Sequence, residues 1–193
     1  MIGEYLTSVS QAIGNVDTGA VVRLIEALEK TLDDGRSVFI VGNGGSAATA
    51  IHATCDLNKS TLGSFPQRSA HRRFRVMCLS ENVSWLTAIG NDISFDKIFS
   101  EQLKNMAREG DFLIVISGSG NSKNIISVIG EAKQIGVETF GLLGFDGGAA
   151  TKILDQSLVV KSSDYGVIED AHLMIFHLIT EYFKRKFSKD SGN

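Results

Sequence analysis

Cysteine is scarce in this chain. Cys55 and Cys78 are the only two among 193 residues, which excludes a disulfide scaffold and leaves two buried thiols in a reducing cytoplasm as the expectation. Clustered positive charge is scarce too. The 22 Asp and Glu outnumber the 19 Lys and Arg, for a net charge of −3. The longest basic runs are Arg72-Arg73 and Lys184-Arg185-Lys186. A nucleic-acid partner is therefore not expected, because backbone phosphates call for a concentrated basic face. No stretch approaches the roughly 18–20 apolar residues of a membrane span. Met1-Ile2-Gly3-Glu4-Tyr5 lacks the charged and apolar regions of a signal peptide, so a cytoplasmic location and no membrane partner are expected. Proline occurs once, as Pro66, inside the polar stretch 58–73 with Lys59, Arg68, Arg72 and Arg73. Loops of that length in a compact domain tend to be functional or disordered, and a solvated loop is the ordinary reading.

Glycine and serine, by contrast, gather at two places. Val41-Gly42-Asn43-Gly44-Gly45-Ser46 follows the apolar run Ser37-Val38-Phe39-Ile40, and Ser117-Gly118-Ser119-Gly120-Asn121-Ser122 follows Phe112-Leu113-Ile114-Val115-Ile116. Small residues where a buried strand turns into a helix let backbone N–H groups and hydroxyls approach an anion, aided by the positive end of the helix dipole. One such loop is equally well a tight turn needing positive φ. Two, both carrying hydroxyls, point to a phosphorylated small molecule at the C-terminal edge of a parallel sheet. Neither loop has the Gly-Lys-Ser/Thr of a P-loop or the GxGxxG dinucleotide fingerprint, which disfavours nucleoside triphosphates and dinucleotides.

Around these loops the chain alternates apolar runs with helical periodicities, the pattern of a parallel sheet covered on both faces. Strands are expected at 37–41, 76–79, 111–116, 138–143 and 157–161. Helices are expected at 46–57, 83–89 (ending at the turn Gly90-Asn91-Asp92), 95–106, 122–135, near 149–154, and at 166–187. The whole is expected to be one α/β domain, 1–193, with a flavodoxin-like doubly wound sheet. Leu6, Val9, Ile13, Val16, Val21, Leu24, Ile25, Leu28 and Leu32 add one broken helix or two consecutive ones ahead of the first strand. Such an extension has little core left to cover, so 1–34 is expected to pack against other subunits of a homo-oligomer.

Candidate chemistry lies on two helices. His52 and Asp56 are four apart after the first loop, and Glu169 and His177 are eight apart on the last helix, so each pair shares a helix face. His172, five residues before His177, is rotated well away from the face of His177. Two imidazoles and two carboxylates make a reasonable set for zinc or another divalent transition metal. Without a metal the same groups serve as general acid and base beside a sugar phosphate, and Glu169-Asp170 also suit the first turn of the helix.

The first loop through Ala47, the Gly90-Asn91-Asp92 turn, Ile116 to Ser122, and Gly144-Phe145-Asp146-Gly147-Gly148 together resemble the sugar isomerase (SIS) domain family. The likeness runs from the N-terminal helix to about residue 187 and is most similar to the phosphoheptose isomerases, which act on sedoheptulose 7-phosphate. The resemblance implies a homotetramer with Asn43, Gly44, Gly45, Asn91, Asp92, Ser117, Gly118, Ser119 and Ser122 on the sugar phosphate, joined by Ser46 from the loop reading and by Glu169. It implies zinc at His52, Asp56, Glu169 and His177, with Asp56 and His177 as the proton-handling pair of an aldose–ketose isomerisation through an enediol(ate). Two positions depart from the family: Asp56 stands for its Glu and Glu169 for its Gln. The arginine the family carries after the acid has no match, Lys59 and Ser60 filling that region. An isomerase for another phosphosugar, and a non-catalytic SIS protein that binds a sugar phosphate or a partner, as a similar replication-initiation regulator does, are the alternatives.

Overall fold

In the computed structural model, residues 1–62 and 73–190 are described here. Most of the expected loop 58–73, with Pro66, Arg68 and Arg72, lies outside them, whereas Lys59 and Ser60–Leu62 prove to be helical. The extension is two helices, α1 (Ile2–Gly14) and α2 (Thr18–Asp33). Strand β1 (Val38–Gly42) runs into α3 (Gly44–Lys59), and β2 (Val76–Cys78) into α4 (Val83–Asp92). After a 3-10 turn at Phe95–Lys97 come α5 (Ser100–Met106), β3 (Phe112–Ser117), α6 (Lys123–Ile135) and β4 (Glu138–Gly144). A second 3-10 turn, Ala150–Lys152, precedes β5 (Gln156–Val160) and the 26-residue α7 (Tyr165–Asp190).

The strands pair in parallel in the order β2-β1-β3-β4-β5, the flavodoxin-like order expected. Burial explains the unbroken apolar runs. All five residues of β1 and all six of β3 are buried, because helices cover both faces and no strand side is left wet. Alternate side chains feed two cores. Val38, Ile40, Phe112, Ile114 and Ile116 face one that includes α2, α3 and α7. Phe39, Val41, Leu113 and Val115 face the other, with α5 and α6.

Three expectations change. Residues 1–34 do not act as one extension: α2 buries Ala20, Val21, Leu24, Ile25, Ala27 and Leu28 in the protein's own core, while α1 buries only Ala12 and lies along α7. The case for a subunit contact at 1–34 therefore rests on α1. Gly90-Asn91-Asp92 is not a turn but the last turn of α4, closed by the Ile93 and Ser94 N–H groups donating to the Ile89 carbonyl oxygen. Of the two thiols, Cys78 is buried and Cys55 is exposed on α3. Burial raises the Cys78 pKa, partly opposed by hydrogen bonding from Ser80.

Candidate active site

The strand order reverses between β1 and β3, which lie side by side with Gly42 in register with Ile116. In an open α/β sheet this switch point leaves a crevice past the strand ends. Both Gly/Ser loops open into it. A cavity of about 130 Å³ there is lined by Asn43, Ser46, Ile116, Ser117, Gly118, Ser119, Ser122, Tyr165 and Glu169.

What makes the cavity suited to an anion is how the two helix starts are left. Helices α2, α4 and α7 are capped by the side chains of Asp17, Asn82 and Asp164, which accept from backbone N–H groups of the first turn. The starts of α3 and α6 have no such side-chain cap bond. Asn43, at the start of α3, is committed elsewhere: its amide and that of Asn124 donate to each other, both at 2.9 Å. That pair ties the two loops together and leaves first-turn N–H groups for a ligand. Ser117 Oγ accepts from Gly120 N at 3.1 Å and Ser119 Oγ from Asn121 N at 3.3 Å. Each hydroxyl accepts within the loop, which leaves its proton to donate outward.

The segment 144–150 acts as a buttress. Gly144 N donates to Gly118 O, Ala150 N to Gly120 O, and Ala149 N to Asn121 Oδ1, each at 2.9 Å. Gly120 has φ +62°, and a Cβ there would run into the Gly147 carbonyl. Phe145 takes φ +50°, the one positive value among described non-glycine residues, with its ring edge-on to Tyr165 at 4.9 Å.

Helix α7 closes the cavity with side chains one turn apart. A Cβ on Gly118 would sit 2.8 Å from the Tyr165 ring, and one on Gly45 would overlap the Glu169 carboxylate. Both loop glycines are thus the space that α7 fills.

Further along the α3–α7 seam three of the expected ligands meet. His177 Nε2 lies 3.4 Å from His52 Nε2, His52 Nε2 lies 3.5 Å from Asp56 Oδ2, and His177 Nε2 lies 4.0 Å from Asp56 Oδ2. Donors bound to zinc at about 2.0–2.2 Å in tetrahedral array stand roughly 3.3–3.6 Å apart, so the trio fits three corners with little movement. Asp56 is held by Ser60, whose Oγ donates to Oδ1 at 3.0 Å, leaving Oδ2 turned to the imidazoles. Glu169 does not join the trio; it lines the hydroxyl cavity instead. Asn91 and Asp92 are not brought to the cavity either. They are exposed, with Asn91 Nδ2 donating to Asp92 Oδ1 at 2.8 Å. Gly44 and Gly45 are exposed in the first turn of α3, beside the cavity-lining Asn43 and Ser46.

Sequence reading missed Asn124, Tyr165 and Ser60. Asn124, 2% exposed and bonded to Asn43 81 residues away, depends like the others on which elements meet. His172 is fully buried, its Nε2 3.0 Å from the Leu143 carbonyl oxygen and its Nδ1 without a partner. Burial pushes its pKa down to about 4, against a smaller opposing effect of the Leu143 bond.

Comparison with known proteins agrees with this architecture. The SIS domain family model matches residues 4–144. A phosphoheptose isomerase of Campylobacter concisus is 40% identical over 169 residues, 88% of this chain and 86% of its own length. One from Geotalea daltonii is 35% identical over 178 residues, 92% of this chain and 90% of its own. The solved phosphoheptose isomerase of Francisella tularensis superposes with a TM-score of 0.86 at 30% identity, covering 95% of this chain and 96% of that one. The chain belongs to the SIS domain family, and within it to the phosphoheptose isomerases.

Proposed function

We infer that the protein is a sugar-phosphate isomerase interconverting sedoheptulose 7-phosphate and D-glycero-D-manno-heptose 7-phosphate. The observation that carries this is the pairing of a hydroxyl-lined cavity at the switch point with the His52–Asp56–His177 trio on the same helix seam. Gly45 precedes His52 by seven residues and Glu169 precedes His177 by eight, so cavity wall and trio are separated by roughly 10–12 Å of helix rise. A seven-carbon chain with a terminal phosphate spans roughly 10 Å from phosphorus to C1 at ordinary bond lengths. With the phosphate on the serine loop, C1 and C2 arrive at the trio.

The serine hydroxyls and the N–H groups at the starts of α3 and α6 hold the phosphate. Asp56 and His177 handle the protons that move between C1 and C2 and between their oxygens through an enediol(ate), and His52 orients Asp56. Zinc held by His52, Asp56 and His177 would polarise the substrate carbonyl and stabilise negative charge on its oxygen. A ligating Nε2 has no lone pair for a proton, so His177 as ligand and His177 as proton carrier are alternatives.

Assembly of subunits belongs to the same proposal. The imidazoles are about half exposed, 48% for His52 and 52% for His177. Apolar Ile51, Leu178 and Tyr182 are exposed on the same two helices, and Ile2, Tyr5, Leu6 and Ile13 on α1. A homotetramer would cover these surfaces, and light scattering measures it. Among the described residues no helix is long and apolar enough to cross a membrane; a cytoplasmic site of action is part of this proposal. The adaptor alternative gains no support from the curated relatives named above, all of which are named as isomerases.

The direct test is conversion of sedoheptulose 7-phosphate by purified protein, with metal content measured alongside. Asp56→Ala and His177→Ala are each expected to lower kcat by about 10²–10⁴-fold, the usual worth of a positioned acid or base. Wild-type turnover in both variants would remove these residues from the chemistry.

A further inference from the structure

Hydroxyl side chains in the helical segments of this protein share a habit. Thr7, Ser8, Thr31, Thr61 and Thr87 each donate to the carbonyl oxygen four residues back, the local bond that a short hydroxyl side chain finds most easily on a helix. Ser60 departs from it. Standing at the end of α3, it gives its N–H to the Asp56 carbonyl oxygen and its Oγ proton to the Asp56 carboxylate, at 3.0 Å from Oδ1. Its surroundings keep that hydroxyl in place. Asn58 pairs with both backbone groups of Val76, its Nδ2 donating to the carbonyl oxygen at 2.8 Å and its Oδ1 accepting from N at 3.0 Å, which pins the end of α3 to β2. The 3-10 turn Ser60–Leu62 packs against α7 as well as α3, with Thr61 and Leu62 buried. Ser60 thus rides on a turn wedged between the two helices that bring the trio together.

We propose that Ser60 is a positioning residue for the His52–Asp56–His177 site, orienting the Asp56 carboxylate so that Oδ2 alone is presented to a zinc ion held with the two imidazoles. This rests on the zinc part of the isomerase reading. The terminal torsion of an aspartate is soft. Asp56, whose side chain is 17% exposed, accepts no other hydrogen bond from outside the trio among the described residues. Without Ser60 the carboxylate turns freely, and either oxygen or both can face the imidazoles. Carboxylates that ligate metals are themselves hydrogen-bonded for this reason, and the group that holds them governs metal affinity although it touches neither metal nor substrate. A carboxylate held to one donor oxygen also leaves the fourth corner of a tetrahedral ion unfilled, where a substrate oxygen can enter.

Zinc itself is the probe. Its dissociation constant is measured by competition with a chromophoric chelator for wild type, Ser60→Ala and Ser60→Thr, beside the affinity for inorganic phosphate and the Tm of the metal-free proteins. Ser60→Ala is expected to weaken zinc by roughly 10- to 100-fold, the usual cost of removing a group that orients a ligand. Ser60→Thr keeps the hydroxyl and should restore most of that affinity. Phosphate affinity should not change, because Ser60 does not line the hydroxyl cavity, and the Tm values should differ by no more than about 4 °C. In turnover of sedoheptulose 7-phosphate, Ser60→Ala should lower kcat and leave KM nearly unchanged. Absence of zinc binding by wild type, unchanged zinc affinity in Ser60→Ala, failure of Ser60→Thr to restore it, or a joint loss of zinc affinity, phosphate affinity and stability would each overturn the proposal. Absence of turnover in wild type with the zinc pattern intact would leave the role of Ser60 standing and count against the isomerase reading alone.

Discussion

Acid should weaken this fold through His172 before the carboxylates titrate. The ring is fully buried between α7 and β4, with Nε2–H donating to the Leu143 carbonyl oxygen and Nδ1 facing no partner. A second proton would place an unpaired charge in the core, which is why its pKa falls from 6.5 to about 4. Between those values the unfolded chain binds a proton that the folded protein refuses. Stability is therefore full above pH 6.5, declines as the pH falls through that value, and levels off near pH 4. The gap corresponds to about 3 kcal/mol when fully developed, with about 2 kcal/mol already lost at pH 5. His172→Gln removes the titration and keeps an N–H for Leu143. Urea unfolding of both proteins at pH 7.5 and pH 5.0, at one protein concentration, isolates the effect. Wild type should lose about 2 kcal/mol more than the variant, or about 4–8 °C in Tm for a chain of this size. Equal losses in the two proteins would show that the ring is not held neutral by burial, and the packing described for it would be wrong.

Two further perturbations probe the loops. Gly120→Ala drives a Cβ into the Gly147 carbonyl at a φ of +62°; it should cost about 2–4 kcal/mol by denaturant unfolding and raise the Kd for inorganic phosphate at least tenfold, because it parts the serine loop from its buttress. Asn124→Ala frees the Asn43 amide to cap α3 in place of a ligand. It should cost about 1–2 kcal/mol in stability and raise KM for a phosphorylated substrate about tenfold with kcat retained, measured in steady-state assays.

The sheet was legible in the residues because buried parallel strands leave an unmistakable trace. Val38–Val41 and Phe112–Ile116 are apolar throughout, as a strand covered on both faces requires. The glycine loops were legible for a related reason, since both follow such runs directly. Misreadings came where a local signal met a competing one. Gly90-Asn91-Asp92 carries turn-forming residues, yet the hydrogen bonds to Ile89 continue the helix through them. The stripe of apolar residues on α1 and α2 reads as one amphipathic extension, and nothing within it tells that α2 lies on the sheet while α1 lies on α7.

For the site, spacing within a helix carried information and distance between helices did not. His52 and Asp56 four apart had to share a face, and they do, at 3.5 Å. Glu169 and His177 eight apart share a face as well, but two turns of helix separate them, and α3 presents different neighbours at each level: Gly45 beside Glu169, His52 beside His177. Four residues that look like one ligand set on the sequence are therefore three donors brought close together and a fourth group that lines the hydroxyl cavity. The departure from the family's pattern that the resemblance implied, Glu169 in place of Gln, falls on that fourth position, away from the trio.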